Sequence, residues 1–113
     1  MSQITTHVLD TSLGRPAAGV LLLLEMKQPQ GNWKELGRGV TDADGRCRQL
    51  LTGGALAAGT YRLIFDTASY FQSCKISGFY PRVSIEFEVR DSESHYHVPL
   101  LLSPYGYSTY RGS

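Results

Sequence analysis

One seven-residue run constrains this chain more than any other: Val83-Ser84-Ile85-Glu86-Phe87-Glu88-Val89. Apolar and polar side chains alternate at every position. Successive side chains of an extended strand point to opposite faces, so Val83, Ile85, Phe87 and Val89 share one face and Ser84, Glu86 and Glu88 the other. On a helix the same residues would be scattered around the axis. The run calls for a sheet packed on a core through one face and wetted on the other.

The rest of the chain repeats that theme in shorter pieces. Ile4 to Leu9 reads as a first strand, with His7 and Leu9 on one face. Val20 to Met26 reads as a strand buried on both faces, because Val20 to Leu24 is continuously apolar. Lys34 to Val40, Arg46 to Leu51 and Tyr61 to Asp66 are further strands, the first of them holding two glycines. Turn chemistry separates them at Ser12-Leu13-Gly14-Arg15-Pro16, Gly31-Asn32 and Asp42-Ala43-Asp44-Gly45. Gly53 to Gly59 reads as a mobile loop with no phosphate-binding spacing. Asp66-Thr67 offers an N-cap, and Ala68 to Ile76 is expected to form one short helix, bounded by Gly78 and Pro81. Seven or eight short strands with one helix predict an all-β sandwich. The 113 residues suffice for one domain, 1–113, and not two.

Several partner classes are excluded at this stage. The net charge is +1 and the eleven basic residues are scattered, which argues against nucleic acid. Val20 to Leu24 is the longest apolar run and is far too short to cross a bilayer. The start, MSQITTHVLD, has no basic region followed by an apolar stretch, so no secretory signal is expected. Two cysteines, Cys47 and Cys74, make neither a disulfide framework nor a zinc site and read as reduced thiols of a cytoplasmic protein.

From His95 onward the chain reads as a hairpin. Tyr96, Val98, Leu100 and Leu102 share one face; His95, His97, Pro99 and Leu101 share the other. Ser103-Pro104-Tyr105-Gly106 is the turn, and Tyr107 to Arg111 is the return strand. A turn centred between Pro104 and Tyr105 pairs Pro99 with Tyr110 and Leu101 with Ser108. His97 then shares a face with Ser108, Tyr110 and Gly112. A slip of one residue puts it with Thr109 and Arg111 instead. The pattern alone leaves both registers open.

The chain has three histidines, His7, His95 and His97. Histidine exchanges a proton near neutral pH without a large shift. Two imidazoles beside an arginine can serve hydrolysis: one takes a proton from water, and the arginine holds the developing negative charge. Arg46, just after the Asp44-Gly45 turn, is the candidate arginine. The same residues, taken by composition, also suit a solvated surface. Asp42-x-Asp44-Gly45 is not a calcium loop, because Val40 occupies the preceding acidic position and the closing glutamate is missing. His95 and His97 could chelate zinc but lack a third ligand at useful spacing, so no metal is expected. His95 is expected at the far end of its strand, away from the site.

At these residues the chain resembles the transthyretin-like proteins, in their 5-hydroxyisourate hydrolase branch. The resemblance covers nearly the whole length. It rests on His7-Val8-Leu9-Asp10 followed by Gly14-Arg15-Pro16-Ala17, on Thr41-Asp42-Ala43-Asp44-Gly45-Arg46, and on His97-Val98-Pro99-Leu100-Leu101 leading into Ser103-Pro104. Above all it rests on Tyr107-Ser108-Thr109-Tyr110-Arg111-Gly112-Ser113, a tail that the hormone-carrying transthyretins lack.

The resemblance implies a transthyretin-like (prealbumin-like) sandwich of two four-stranded sheets with one short helix. It implies a homotetramer, a dimer of dimers, whose channel is lined by the hairpins, and it favours the first register above. The implied reaction is ring opening of 5-hydroxyisourate to 2-oxo-4-hydroxy-4-carboxy-5-ureidoimidazoline in urate breakdown, by water and without metal or cofactor. The implied catalytic residues are His7, Arg46 and His97; the substrate is implied to meet His7, Arg46, Tyr110 and Ser113. The general base is left open between His7 and His97. A non-catalytic small-molecule carrier of the transthyretin type is the alternative, but a carrier need not keep His7, Arg46, His97 and the tail together. A structural adhesion sandwich is a third reading, which the polar residues of the hairpin face argue against.

Overall fold

The structure, a computed structural model, describes residues 3–51 and 56–113. The alternating run forms a strand with the bounds its pattern predicts: Val83, Ile85 and Val89 are buried, Phe87 is half-buried, and Ser84, Glu86 and Glu88 are exposed. In chain order the elements are β1 (Ile4–Asp10), β2 (Arg15–Pro16), β3 (Leu21–Lys27), β4 (Trp33–Val40), β5 (Arg46–Cys47), β6 (Gly59–Phe65), α1 (Thr67–Ser73), β7 (Val83–Val89), β8 (Tyr96–Ser103) and β9 (Gly106–Thr109). They build two sheets. One runs β2-β1-β8-β9 with β5 also on β1, and the other runs β4-β3-β6-β7. The core lies between them, with Tyr61, Phe65, Leu22, Leu24, Leu100 and Leu102 among its largest sealed side chains.

The sandwich and its single helix are as expected, but the first sheet has five strands rather than four. The difference comes from two-residue pieces. Asp10 ties the link after β1 by accepting from the backbone N–H groups of Ser12 (3.0 Å) and Leu13 (3.2 Å). That fold-back lets Arg15 and Pro16 pair with Asp10 and Leu9. The strand expected over Arg46 to Leu51 stops at Cys47. Beyond it the chain crosses onto β4 and plugs the core with Leu50, 2% exposed. The two glycines of β4 make room for this crossing. A side chain on Gly37 would collide with the Leu50 carbonyl, and one on Gly39 would stand 2.5 Å from Cys47 Sγ.

Three other expectations are corrected. β3 is buried on one face only: Leu22 and Leu24 point inward, while Leu21 is 41% exposed. Its sheet is antiparallel, and such sheets can leave one face in water. The helix begins at Thr67, with Asp66 accepting from Ser69 N–H at 3.1 Å, and ends at Ser73 rather than Ile76. Lys75, in left-handed backbone at φ 59°, stops it. The return strand β9 ends at Thr109 rather than Arg111. Of the glycine-rich stretch 53–59, residues 53–55 lie outside the described residues, and Gly59 opens β6. No helix among the described residues is long and apolar enough to cross a membrane.

Candidate active site

The outer face of the first sheet is assembled by one unusual pairing. β1 and β8 run parallel, with Thr5 beside His97 and His7 beside Pro99. Ile4, Thr6, Val8 and Asp10 are buried, which leaves Thr5, His7 and Leu9 on the outside. β5 pairs antiparallel on the other edge of β1, with Arg46 opposite His7. Paired residues share a face and lie within reach of each other's side chains. His7, Arg46 and His97 therefore stand on one surface although they come from three separated parts of the chain.

Arg46 is aimed by the turn before it. Asp42 Oδ1 accepts from the backbone N–H of Asp44 (2.9 Å) and of Arg46 (3.0 Å). Gly45 then packs directly on β1: Val8 N–H donates to the Gly45 carbonyl at 2.7 Å. Gly45 has φ 76°, and a side chain there would collide with the Val8 carbonyl, so only glycine fits.

The hairpin adopts the first of the two registers. Leu101 pairs with Ser108 and Ser103 with Gly106. The same register continues past the end of β9, where His97 bridges to Gly112 and Gly112 N–H donates to the His97 carbonyl at 2.8 Å. This bridge draws Ser113 into a cleft of about 220 Å³ lined by Thr5, Thr6, Arg46, Arg48, His95, His97 and Ser113.

The two expected imidazoles are held differently. His97 is half-buried, and its Nδ1 lies 2.9 Å from Thr5 Oγ1. Its Nε2 has no hydrogen bond to any described residue and is not sealed from solvent. Burial holds the His97 imidazole below its ordinary value of 6.5, and Arg46, His95 and His7 push the same way, because a second positive charge nearby is unfavourable. Its neutral form is thereby favoured. His7 Nε2 lies 2.8 Å from the Asp44 carbonyl. A carbonyl only accepts, so His7 Nε2 carries the hydrogen and Nδ1 is left as the acceptor.

His97, Arg46 and Ser113 thus meet in one cleft, with His7 beside Arg46. Tyr110 does not join them within the chain. Tyr110 is 57% exposed, and it lines the gap between the edges of β7 and β9 with Ile85, Phe87, Tyr96 and Arg111. Arg111 lies over the Tyr96 ring at 4.6 Å. His95 corrects the opposite expectation: it is in the cleft, not remote from it. Its ring stacks on His97 at 6.4 Å between centroids and 13° between planes, and its Nε2 is 3.1 Å from Thr5 Oγ1. The His95-x-His97 spacing carried that signal, since alternate residues share a face. Thr5 and Arg48 had no such signal, because the β1–β8 and β5 pairings that place them are not written locally.

A larger cleft of about 380 Å³ lies on the outer face of the second sheet, lined by Leu21, Leu23, Arg38, Ile64, Asp66, Pro81 and Arg82. It contains no imidazole, so it has no group suited to proton transfer at neutral pH. Among the described residues no three His, Cys, Asp or Glu side chains are grouped as a metal site.

Comparison with known proteins bears on both fold and site. The family model described as "Transthyretin: HIUase/Transthyretin family" matches residues 4–112. The 5-hydroxyisourate hydrolase of Salmonella typhimurium is 50% identical over 110 residues, covering 97% of this chain and 80% of that one. The 5-hydroxyisourate hydrolase of Mus musculus is 47% identical over 113 residues, covering 99% and 96%. Among solved structures, Klebsiella pneumoniae 5-hydroxyisourate hydrolase superposes with a TM-score of 0.84 at 36% identity, covering 97% and 98%. Sea bream transthyretin in complex with thyroxine superposes with a TM-score of 0.93 at 33% identity, covering 98% and 95%. With a match that runs from the first strand to the terminal tail, this chain belongs to the HIUase/transthyretin family.

Proposed function

We propose that this chain is a hydrolase that opens the six-membered ring of 5-hydroxyisourate, the activity named for its relatives from Salmonella and mouse. The observation that carries the reading is the shared cleft of His97, Arg46 and Ser113, with His7 paired to Arg46 at its edge. The fold does not separate enzyme from carrier, since the chain superposes on a transthyretin as well as on a hydrolase. Roughly half identity to the hydrolases supports the enzyme.

The chemistry follows from the atoms available. Water attacks a ring carbonyl carbon, and His97 Nε2, with its lone pair open to the cleft, takes the water proton. Negative charge develops on the carbonyl oxygen, and Arg46 meets it with a planar fork of donors. The C–N bond breaks, the hydroxyl stays on carbon as the new carboxyl group, and the proton passes from His97 to the departing ring nitrogen. Proton transfer of this kind contributes about 10²–10⁴-fold. His7 Nδ1 accepts from a substrate N–H, and Ser113 binds the substrate's edge. No metal or cofactor takes part in these steps.

The working assembly is proposed to be a homotetramer, a dimer of dimers with the outer face of the first sheet around a shared channel. Tyr110, exposed in the single chain, would then close a site from a neighbouring copy. A cytoplasmic location fits the free thiols of Cys47 and Cys74. A transthyretin-type carrier is the second reading, supported by the thyroxine-bound structural relative. The deciding experiment mixes purified protein with freshly generated 5-hydroxyisourate and follows the decay of its absorbance. Decay faster than the spontaneous rate supports the hydrolase. Tight binding with only the spontaneous rate would favour the carrier.

A further inference from the structure

We infer that Thr5 is a positioning residue for His97: its hydroxyl bridges His95 and His97 and holds His97 with Nδ1 protonated and Nε2 bare. The inference rests on the hydrolase reading for its consequence, though not for its geometry. Thr5 Oγ1 lies 2.9 Å from His97 Nδ1 and 3.1 Å from His95 Nε2, and these are the hydrogen bonds of its side chain among the described residues. A hydroxyl has one hydrogen to give and two lone pairs to accept with. If both rings donated to Thr5, its hydrogen would have no acceptor. The satisfied arrangement therefore has Thr5 accepting from one ring and donating to the other.

Arg46 decides which ring does which. The cleft that His97 lines also holds Arg46, whose positive charge acts on the His97 ring, Arg48, which like Arg46 only donates, and the Ser113 hydroxyl, which adapts to either role. In a cleft whose cation acts on the ring, the nitrogen open to that cleft is better as a lone pair than as an N–H. His97 therefore keeps its hydrogen on Nδ1 and gives it to Thr5. Thr5 passes its own hydrogen to His95 Nε2, so the hydrogen of neutral His95 sits on Nδ1. His7 takes no part in the bridge, because its Nε2–H is committed to the Asp44 carbonyl at 2.8 Å. The bridge also has a rigid frame. Thr5 and His97 are register partners on adjacent parallel strands, and the two imidazoles stack with 13° between their planes.

A general base needs a bare nitrogen facing its water, and an imidazole in the wrong tautomer presents a donor there instead. Thr5 and His95 would thus act on turnover through His97, without touching the substrate themselves. The same reasoning revises the standing of His95 from a bystander to the acceptor that anchors the bridge.

The test reads the tautomer directly. Imidazole ¹⁵N resonances distinguish a protonated ring nitrogen from a bare one, and the measurement needs no substrate. At a pH where all three rings are neutral, wild-type His97 should show a protonated Nδ1 and a bare Nε2. Thr5→Val keeps the shape and loses the hydroxyl; its His97 should populate the Nε2–H form. Its kcat should fall about ten- to a hundredfold, less than the loss expected for deleting the base itself, with KM nearly unchanged. Thr5→Ser should restore the wild-type tautomer and most of the turnover. His95→Phe keeps a ring but removes the acceptor, so both His97 tautomers should be populated; this variant decides the matter if Thr5→Val fails to fold. A wild-type His97 already in the Nε2–H form, or a Thr5→Val protein with unchanged resonances, would overturn the inference. If the wild-type protein leaves 5-hydroxyisourate at its spontaneous rate, the hydrolase reading fails, while the resonances still decide the bridge.

Discussion

Gly112 is the residue through which the tail holds His97, and replacing it with alanine gives a sharp test of the site. A Cβ built at Gly112 stands 2.5 Å from His97 Cδ2 and 3.2 Å from His97 Cγ. Non-bonded carbons settle at about 3.5–4.0 Å. Either the imidazole or the tail must therefore move by about 1 Å. Gly112 does not use left-handed backbone, so alanine has no conformational quarrel of its own at this position. If the ring yields, Nε2 leaves its place in the cleft. If the tail yields, the 2.8 Å bond from Gly112 N–H to the His97 carbonyl breaks and Ser113 leaves the cleft. A misplacement of about 1 Å can cost on the order of 10²-fold in rate. Gly112→Ala should thus lose about 10²-fold in kcat for 5-hydroxyisourate, read from the absorbance decay over the spontaneous background. Its melting temperature should stay close to wild type, because the contact lies on the outer face and not in the core. A variant with kcat within twofold of wild type would show that neither the ring position nor the tail contributes to turnover.

Four further outcomes are expected. His97→Asn and His7→Asn should each lower kcat by about 10²-fold or more, the usual scale for a lost proton-transfer group; a wild-type rate for His97→Asn would remove it as the base. Because burial, then Arg46, His95 and His7, hold His97 below 6.5, the neutral base survives below that pH, and the acid limb of kcat/KM should lie under 6.5. Arg46→Gln removes one opposing charge, so its limb should move toward higher pH, though not fully, since burial is the larger cause; a wild-type limb above 6.5 would contradict the assignment. Deleting Tyr110 to Ser113 should leave the far-ultraviolet dichroism and the oligomeric state of the intact chain unchanged while abolishing nearly all turnover, and a fully active truncation would take the tail out of the mechanism. Tyr70 hydroxyl donates to buried Asp10 Oδ2 at 2.7 Å, so Tyr70→Phe should destabilise the fold by about 1.5–3 kcal/mol, and an unchanged thermal midpoint would show that the bond adds nothing.

Local pattern carried the parts of this molecule that are built locally. The bounds of β7 follow from alternation within seven residues. The hairpin and its turn at Pro104 and Gly106 were legible too, but local pattern left two registers open, and the resemblance favoured the pairing of Leu101 with Ser108 that forms. What was not legible is what depends on remote neighbours. Nothing near Arg46 announces that Leu50 will leave the sheet to fill the core, so its strand was expected too long. Continuous Val20 to Leu24 reads as doubly buried, yet Leu21 is exposed and Leu23 only half-buried on the outer side of β3. The parallel pairing of β1 with β8 joins residues about 90 positions apart with no turn to advertise it. Thr5 and the true place of His95 depend on that pairing. His7, Arg46 and His97 were candidates by residue chemistry and Ser113 through the resemblance, but their proximity rests on the pairings of β1 with β5 and with β8.

The pairing of β1 with β8 also sets when the molecule can come into being during its own synthesis. β1 is made first among the strands but finds its long partner only when β8 has left the ribosome. At about 5–20 residues per second, those roughly 90 intervening residues impose a delay of roughly 5 to 18 s. Throughout it, Ile4 and Val8, both fully buried in the finished protein, lack the strand that seals them. The second sheet, made of antiparallel neighbours closer in sequence, has no such delay and can form first. Chaperone dependence of the nascent chain should accordingly centre on its first ten residues, and enzymatic competence should arrive late and abruptly, as the closing event of folding.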